Sequence, residues 1–464
     1  MFLKSSRLSL ISVISIFAST LSFDANAAVI NSCKIASSEQ HIVSLGFPVR
    51  DERLKHKNSP NILVVPYQLK DEPDYVFKEE FRQDYKEAGR IIENFSSGKV
   101  KVTFTFEKPI KTQLTNSDME IQRLNQQTAW MTDPEKSTWG LVRRLISSND
   151  ENLNFQGVDA VILEGSATTR AADINEAMSF QVNPQNPFLK SVETAEGLIS
   201  NAILFDNHAQ ALTIAHEIMH LFGLTDLYGT YNGPGQLSLM ANMTPNLLSF
   251  EKWTLGWLED ARVQCLENIP HNKILDLDLD LNLGSHLIII PGSKGQAQII
   301  DISEFRDSLN LSFYQLNNDA RPPISLFNSS TDSYRQGIPL SNKDSLGQVV
   351  KGDKFSIVLS KLNNNLLTIS LVTSENLSGQ EFQTIVNASI EARGSSTPYR
   401  KPSQIGSSEK VSNNVDKITD SNSMIPQIPT LNTAKKSLTC VKGKVVKKIY
   451  SVSPKCPSGF KPRK

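Results

Sequence analysis

The chain has 464 residues, and its 48 basic and 48 acidic side chains cancel to a formal net charge of zero. A balanced charge offers no general attraction for a polyanion, so the sequence predicts no nucleic-acid partner. The length is sufficient for more than one folded domain, and shifts in composition along the chain predict several units.

The first 27 residues have the pattern of a secretory signal peptide. Lys4 and Arg7 precede the apolar stretch Leu8–Leu21, and small residues end the segment at Ala27. This stretch is too short and serine-rich for a stable membrane span, and no later segment is apolar over twenty residues. The sequence therefore predicts cleavage after Ala27 and a secreted or extracellular mature chain without a transmembrane span. An uncleaved N-terminal anchor is the alternative.

Residues 28–60 are predicted to be a short N-terminal segment or a short pro-segment. Residues 61–260 are predicted to form an α/β (α+β) domain. Apolar runs predict strands over Ile62–Val65 and Val100–Phe106, with an amphipathic helix over Lys78–Phe95 between them. This order favours a mixed sheet with crossover helices. Further helices are predicted near Ser137–Ser147 and within 201–222.

The run HEIMH at residues 216–220 is the most informative motif of the chain. Residues four apart share one face of a helix, so His216 and His220 are placed to bind one metal ion from the same side. Glu217 lies beside the first histidine, where its carboxylate reaches a water molecule at the metal. Carboxylate and imidazoles inside an apolar helix need a strong partner, because unpaired buried polar groups are costly. The motif predicts a zinc site with Glu217 as catalytic base.

The third zinc ligand is predicted from the turn after this helix. Gly223 permits a left-handed helix end, after which the chain returns and presents Asp226 to the metal. A carboxylate oxygen is an acceptable zinc ligand. The alternative is that Asp226 caps the turn, in which case Glu251 on the next predicted helix is the third ligand.

Two short segments further along complete the predicted site. The string SLMAN at residues 238–242 predicts a Met-turn that places the Met240 thioether beneath the metal. Residues 248–258 predict a short closing helix, with Ser249 as its N-cap and Gly256 near its end.

Three strings of this region resemble one family. HEIMHLFGLTDLY (216–228), SLMANM (238–243) and LSFEKWTLGWL (248–258) resemble the immune inhibitor A type of secreted bacterial metalloprotease, the thuringilysin-like peptidases. The resemblance is strong over residues 209–258 and weaker over 60–208. It implies a zincin-like, metzincin-like catalytic domain, zinc ligation by His216, His220 and Asp226, and base catalysis by Glu217. Thr225 stands where the family has a proline before the aspartate.

The motif and the resemblance together predict a secreted zinc-dependent endopeptidase that acts on protein or peptide substrates. Tyr228 and Tyr231, in the loop after the helix, are candidate oxyanion stabilisers, with ordinary loop aromatics as the alternative. Two other functions stay open: a surface-associated binding or adhesion protein with a structural zinc helix, and a zinc hydrolase of non-peptide substrates. Structural zinc sites are usually closed by four ligands rich in cysteine, and no cysteine lies near residues 216–226.

Residues 261–375 are predicted to form a smaller β-sandwich-like domain. A turn at Asn363–Asn365 separates two of its strands. Asp276, Asp278 and Asp280 alternate with leucines, which indicates either a calcium site or, as favoured here, the exposed face of an amphipathic strand. The predicted strands cover His286–Ile290, Gln298–Ile302, Phe355–Leu359 and Leu366–Val372.

The C-terminal part is polar and then basic. Residues 376–435 are predicted to be a flexible linker, because they are rich in Ser, Asn, Thr, Gln and Pro. Residues 436–464 form a lysine-rich module that resembles short basic tails of exported proteins and is a candidate for cell-surface attachment. Four cysteines allow three pairings in an exported chain. Cys440 with Cys456 closes a short loop, which leaves Cys33 with Cys265.

Overall fold

A computed structural model describes most of the chain. The described residues are 30–38, 41, 44–118, 138–166, 177–181, 190–229, 232–267, 274–305, 308–327, 337–352, 355–373, 380–401, 436–442, 445–451 and 461–462. The predicted signal peptide and residues 376–379 and 402–435 of the predicted linker lie outside them. The chain divides into two compact units, residues 1–403 and 404–464. Within the described residues, no helix has the length and apolar character needed to cross a membrane.

The first unit is built on a mixed six-stranded sheet with the order β2-β1-β4-β8-β5, in which β3 extends the pairing of β1. The pairs among β1, β2, β3, β4 and β8 are parallel, whereas the edge strand β5 is antiparallel to β8. A short hairpin of β6 and β7 precedes β8. The bounds are β1 Asn61–Gln68, β2 Thr103–Phe106, β3 Ile110–Lys111, β4 Ala160–Gly165, β5 Ala177–Gln181, β6 Val192–Thr194, β7 Gly197–Ile199 and β8 Asn201–Phe205.

Helices cover both faces of this sheet, as the apolar strand β1 requires. Successive side chains of a strand point to opposite faces. Accordingly, Ile62 and Val64 join the core beneath helices α1 and α3, whereas Leu63 and Val65 join the core beneath helix α2. The helices are α1 Glu79–Phe95, α2 Thr138–Ser147 and α3 Ala211–Phe222. The predicted α1 is confirmed, but residues 201–205 of the segment predicted to carry α3 form strand β8 instead.

The β-rich region consists of two sheets that share a core, as predicted for a sandwich. The first has the order β14-β13-β12-β11-β9 with β15 paired to β13, and the second has the order β10-β18-β17-β16. Asn364 and Asn365 have positive φ angles of 49° and 62°, which form the predicted hairpin turn. The bounds are β9 Val263–Cys265, β10 Ile274–Asp280, β11 His286–Pro291, β12 Gln296–Phe305, β13 Ser308–Asn317, β14 Ile324–Leu326, β15 Ile338–Pro339, β16 Val349–Lys351, β17 Phe355–Asn363 and β18 Leu366–Thr373.

The first of these sheets also belongs to the core of the α/β region. Ile288 and Ile300 face the second sheet, whereas the adjacent Ile289 and Ile299 lie in the same apolar cluster as helix α3. The apolar cluster around helix α3 therefore extends across residue 260, the predicted boundary between the two regions. Two short helices lie at this junction, α4 Leu239–Asn242 and α5 Ser249–Thr254.

The N-terminal segment is part of the same core. Cys33, Leu45 and Leu54 are buried in the cluster that surrounds helix α3. Cys33 is joined to Cys265 by a disulfide, as predicted. The alternative of a removable pro-segment would require the loss of all these contacts, so the packing favours an integral segment.

The predicted flexible linker is wrong over its first part, because residues Gln380–Glu391 form helix α6. The less exposed positions of this helix follow helical spacing, so they form one face, which is suited to packing on the sandwich. These positions are Phe382, Ile385, Val386 and Ser389. Tyr399, further along, is buried in the sandwich core. The polar composition of the segment conceals this single apolar stripe.

Two further predictions concern the ends of the β-rich region. Asp276, Asp278 and Asp280 are exposed along β10, and Thr368 on the neighbouring strand donates a hydrogen bond to Asp278. This alternation is that of an amphipathic strand.

In the second unit a three-stranded sheet has the order β20-β19-β21. Cys456 of the predicted Cys440–Cys456 pair lies outside the described residues. The bounds are β19 Lys436–Lys442, β20 Val445–Ser451 and β21 Lys461–Pro462.

Candidate metal centre

The two histidines of helix α3 are held in a defined orientation by backbone carbonyls. Nδ1 of His216 lies 3.2 Å from the oxygen of Leu239, and Nδ1 of His220 lies 2.8 Å from the oxygen of Leu224. Because a carbonyl only accepts, each Nδ1 is assigned the ring proton, and each Nε2 keeps a free lone pair. This is the arrangement of metal-binding imidazoles whose second nitrogen is fixed by an outer hydrogen bond.

Asp226 converges on both free nitrogens. Its Oδ1 lies 3.2 Å from Nε2 of His216 and 3.2 Å from Nε2 of His220. Ligands bound tetrahedrally at zinc distances are separated by about 3.3 Å. Oδ1 is buried, and within the described residues no group donates a hydrogen bond to it. Three lone-pair atoms thus meet at one point without a proton donor between them, which fits a bound cation.

The helix end brings Asp226 to this place, as the sequence predicted. Gly223 ends helix α3 with φ 115°, and its N–H donates to the oxygen of His220 at 2.9 Å. The chain then reverses, and the N–H of Leu227 donates to the oxygen of Met240 at 2.9 Å. A left-handed residue at this point suits glycine, since it has no Cβ.

The charges of the site favour a positive group between its ligands. Burial lowers the pKa of His220, but the nearby carboxylates of Asp226 and Glu217 outweigh it, so the net pKa is raised. Partial burial raises the pKa of Asp226, yet both histidines lower it further, and the net pKa lies well below its usual range. Both shifts stabilise positive charge beside Asp226.

The predicted Met-turn lies directly against the first histidine. Residues Leu239–Asn242 form a single helical turn, and the carbonyl of Leu239 is the group that accepts from His216. Met240 is fully buried. Ser238 begins the turn, and its Oγ accepts from the Met240 N–H at 3.0 Å. The turn therefore helps to fix one metal-binding ring.

Glu251, the fallback ligand, is engaged elsewhere. One of its oxygens accepts from Ser238 Oγ at 2.9 Å and the other from the Leu248 N–H at 2.8 Å. Burial raises its pKa to about 8 in spite of these hydrogen bonds. One oxygen thus holds the start of the Leu239–Asn242 turn and the other the start of helix α5, so the geometry favours Asp226 as the third ligand.

The predicted N-cap role of Ser249 is wrong. Ser249 is the first residue of helix α5, and its Oγ donates to the oxygen of Ile302 at 2.8 Å. Asp301 on strand β12 caps the helix instead, because its carboxylate accepts from the N–H groups of Ser249 and Phe250, each at 3.1 Å. This cap comes from a strand some fifty residues away and has no local sequence signal.

Glu217 is buried beside the metal-binding face of helix α3. Its carboxylate lies within 4.8 Å of a ring nitrogen of each histidine. Ser179 on the edge strand β5 lies with Oγ 2.7 Å from Glu217 Oε2 and 2.7 Å from the Glu217 carbonyl oxygen. Sequence reasoning did not find Ser179, since the pairing of β5 with β8 alone brings it to the helix.

The two predicted tyrosines have different outcomes. The ring of Tyr228 is stacked with that of His216, with centroids 6.3 Å apart, and its side chain is largely exposed. Burial, the charge of Asp226 and a hydrogen bond to that carboxylate raise the pKa of Tyr228 to about 12. The ring of Tyr228 thus lies beside one predicted ligand, His216. Tyr231 lies outside the described residues.

A second polar cluster, also missed from the sequence, lies at the carboxyl ends of β4 and β8. Nδ1 of His208 is 3.1 Å from buried Glu164, and its Nε2 is 2.8 Å from Asp84. Tyr85 donates a hydrogen bond to the other oxygen of Glu164. Burial lowers the pKa of His208, but the two carboxylates raise it overall. This cluster joins helix α1 to the strand that leads into α3.

Comparison with known protein families and with curated proteins gives no match. Within the described residues, the one group of three His, Cys, Asp or Glu side chains with mutually close ligand atoms is His216, Glu217 and His220. The ligand atoms of this group lie within 4.8 Å of one another. Oδ1 of Asp226 is closer than that to both rings, at 3.2 Å from Nε2 of each histidine. We therefore assign Asp226 as the candidate third ligand and Glu217 as the candidate base.

Proposed function

We propose that this chain is a secreted zinc-dependent endopeptidase with a zincin-like catalytic region. One observation carries the proposal: Nε2 of His216, Nε2 of His220 and Oδ1 of Asp226 converge, with 3.2 Å from the oxygen to each nitrogen. Two imidazoles and one carboxylate are a zinc ligand set that leaves a position for water. Glu217, next to the first ligand, supplies a base.

The position of the site near the surface supports catalysis over a structural role. The Asp226 side chain is 42% exposed although its Oδ1 is buried, so the ligand set lies just beneath the surface. Structural zinc sites are usually closed by four protein ligands, often cysteines. The cysteines described for this unit, Cys33 and Cys265, are joined in a disulfide and are unavailable to a metal.

Zinc bound to these residues would activate a water molecule and polarise the carbonyl of a substrate. Glu217 accepts the proton of the attacking water and passes it to the leaving amine nitrogen. His216 and His220 keep their orientation through their Nδ1 hydrogen bonds. The ring of Tyr228 is stacked with that of His216 and so lies beside a candidate ligand, a role that needs no contact with the oxyanion.

The peptide substrate and the secreted location rest on the sequence. The strings at 216–228, 238–243 and 248–258 resemble secreted metalloproteases, and the first 27 residues resemble a signal peptide. The Cys33–Cys265 disulfide supports an oxidising compartment. Cell-surface attachment through 436–464 stays a prediction, and deletion of that module with measurement of the cell-bound fraction tests it.

The experiment compares the mature protein with Glu217→Ala. We expect about one zinc per chain in both proteins by mass spectrometry, and casein cleavage by the wild type that a chelator abolishes and zinc restores. The variant should lose about 100-fold or more of the cleavage rate, because it lacks the proton acceptor. Glu259→Ala, which removes an exposed carboxylate, is the matched control.

The alternatives give different outcomes in the same experiment. A bound zinc without cleavage of any protein or peptide, but with hydrolysis of an ester or amide of another class, identifies a non-peptidase hydrolase. A chain that holds zinc and hydrolyses nothing indicates a structural site. Iron in place of zinc would contradict the proposal, since two histidines and a carboxylate also bind non-haem iron. A Glu217→Ala variant with normal cleavage would refute the role of Glu217.

A further inference from the structure

Ser179 forms the hydrogen bond that fixes the Glu217 carboxylate. Its Oγ lies 2.7 Å from Oε2 and 2.7 Å from the backbone oxygen of Glu217. Within the described part of the chain, no other residue donates a hydrogen bond to this carboxylate. The hydroxyl has one proton to share between these two oxygens, and both belong to Glu217, so the contact acts on that residue specifically.

The contact joins two separately supported elements. Ser179 pairs with Ile203 in the antiparallel ladder between β5 and β8. Glu217 lies in the middle of helix α3, whose flanking residues Ile214, Ile218 and Leu221 are buried in the core. The donor and acceptor are therefore each attached to an ordered backbone. A hydrogen bond between two such groups restricts the torsions of the glutamate more than a bond to a mobile loop would.

The bond leaves one oxygen of Glu217 for chemistry. Oε2 is occupied by Ser179, whereas Oε1 has no hydrogen-bond donor among the described residues. A glutamate side chain has three rotatable bonds and loses rotamer entropy when it is fixed. Fixing one oxygen in advance reduces the entropy that must be lost when the other oxygen meets a water molecule.

We propose that Ser179 is a positioning residue that holds Glu217 in the orientation needed for proton transfer. This inference rests on the proposed function, because it gives Glu217 the role of base. Ser179 touches neither the substrate nor the predicted ligands in this account. Its effect reaches the reaction through the Glu217 carboxylate alone, so it should alter turnover while metal binding and substrate affinity are preserved.

Three variants test the hydroxyl. Ser179→Ala removes the donor, Ser179→Thr keeps it, and Ser179→Cys keeps a side chain of similar shape with a weak donor. Ser200→Ala is the matched control, since it removes a half-buried hydroxyl that bonds Ser191 instead of Glu217. Zinc content, kcat and KM for a fluorogenic peptide, and the thermal midpoint are measured for each protein.

We expect Ser179→Ala to lower kcat by about 10- to 100-fold, the effect of losing a hydrogen bond to a charged group, with KM within about twofold of the wild type. Ser179→Thr should retain most of kcat, and Ser179→Cys should lose most of it. Zinc content should be equal in all. A wild-type kcat for Ser179→Ala, or a loss confined to KM, overturns the proposal. If the alanine variant does not fold, the cysteine variant provides the same comparison.

Crystal structures of the wild type and Ser179→Ala provide a readout that needs no activity. We expect one Glu217 conformer in the wild type and a rotated or multiple carboxylate in the variant. An unchanged single conformer in the variant overturns the proposal. If the wild type cleaves no peptide, the proposed function fails, yet this comparison still decides whether Ser179 positions Glu217.

Discussion

The hydroxyl of Ser238 donates a hydrogen bond of 2.9 Å to Oε1 of the buried Glu251. Ser238 begins the turn whose Leu239 carbonyl holds His216, and Glu251 lies in helix α5. The buried carboxylate therefore connects the closing helix to the turn beneath the candidate metal centre. Its pKa, raised to about 8 mainly by burial, makes this connection sensitive to pH.

We predict that Glu251→Gln reduces the loss of stability that occurs as pH rises from about 5 to about 8. In the folded protein the pKa of Glu251 is raised from 4.5 to about 8. The stability that its protonation contributes is therefore fully present below pH 4.5 and is lost as pH rises through 8. This loss is on the order of 4 kcal/mol of unfolding free energy, and glutamine removes it. Urea unfolding of both proteins at about pH 5 and about pH 8 measures the difference. Equal pH dependence in the two proteins would show that Glu251 does not titrate in this range.

We predict that Gly223→Ala is strongly destabilising. Gly223 has φ 115°, and an added Cβ would lie 2.6 Å from Cγ1 of Val49 in the N-terminal segment. Left-handed strain and overpacking together cost about 2–4 kcal/mol. Gly98→Ala is the matched control, because Gly98 also has a positive φ but nothing lies within 4 Å of its added Cβ. Equal losses in the two variants, measured by urea unfolding, would exclude the Val49 contact as a cause.

We predict that the N-terminal segment is required for folding. Leu54 is buried in the core that contains helix α3, so Leu54→Ala should cost about 2–5 kcal/mol of unfolding free energy. Val76→Ala is the control, since Val76 is 73% exposed, and it should cost less than about 0.5 kcal/mol. A chain that begins at residue 59 should not fold. Cooperative unfolding of that chain, with full enzymatic activity, would instead support a removable pro-segment.

The elements that sequence predicted well have strong local patterns. Strand β1 is a continuous apolar run, and helix α1 has an amphipathic stripe, so their bounds in the structure lie close to prediction. The candidate ligands were identified because histidines four apart and a glycine at the helix end are local signals. Gly223 indeed adopts the left-handed conformation that the predicted return of Asp226 requires.

The features missed from the sequence depend on contacts between distant residues. Ser179 meets Glu217 through the edge pairing of β5, and Asp301 caps helix α5 from strand β12. No spacing within either segment encodes these contacts. Helix α6 is a different case, because Phe382, Ile385, Val386 and Ser389 carried helical spacing that the polar composition obscured. Composition is a weaker signal than periodicity for such a segment.

Zinc should stabilise the wild type, and a chelator should reverse the effect. A ligand that binds only the folded state at 100 times its dissociation constant adds about 2.7 kcal/mol. His220→Ala removes one ligand nitrogen and should abolish the zinc-dependent rise in the thermal midpoint. His56→Ala, which removes a partly exposed histidine paired with Asp51, should leave the rise unchanged.

Asp226→Asn distinguishes a ligand from a turn cap in the same assay. Asparagine keeps the shape of the side chain and its capping capacity, but it lacks the negative charge that favours a cation. The apo variant should therefore be about as stable as the apo wild type, while its zinc-dependent rise should be much smaller. A full rise in this variant would remove Asp226 from the ligand set. An unchanged apo stability together with a full rise would assign Asp226 to the turn, because asparagine still caps it.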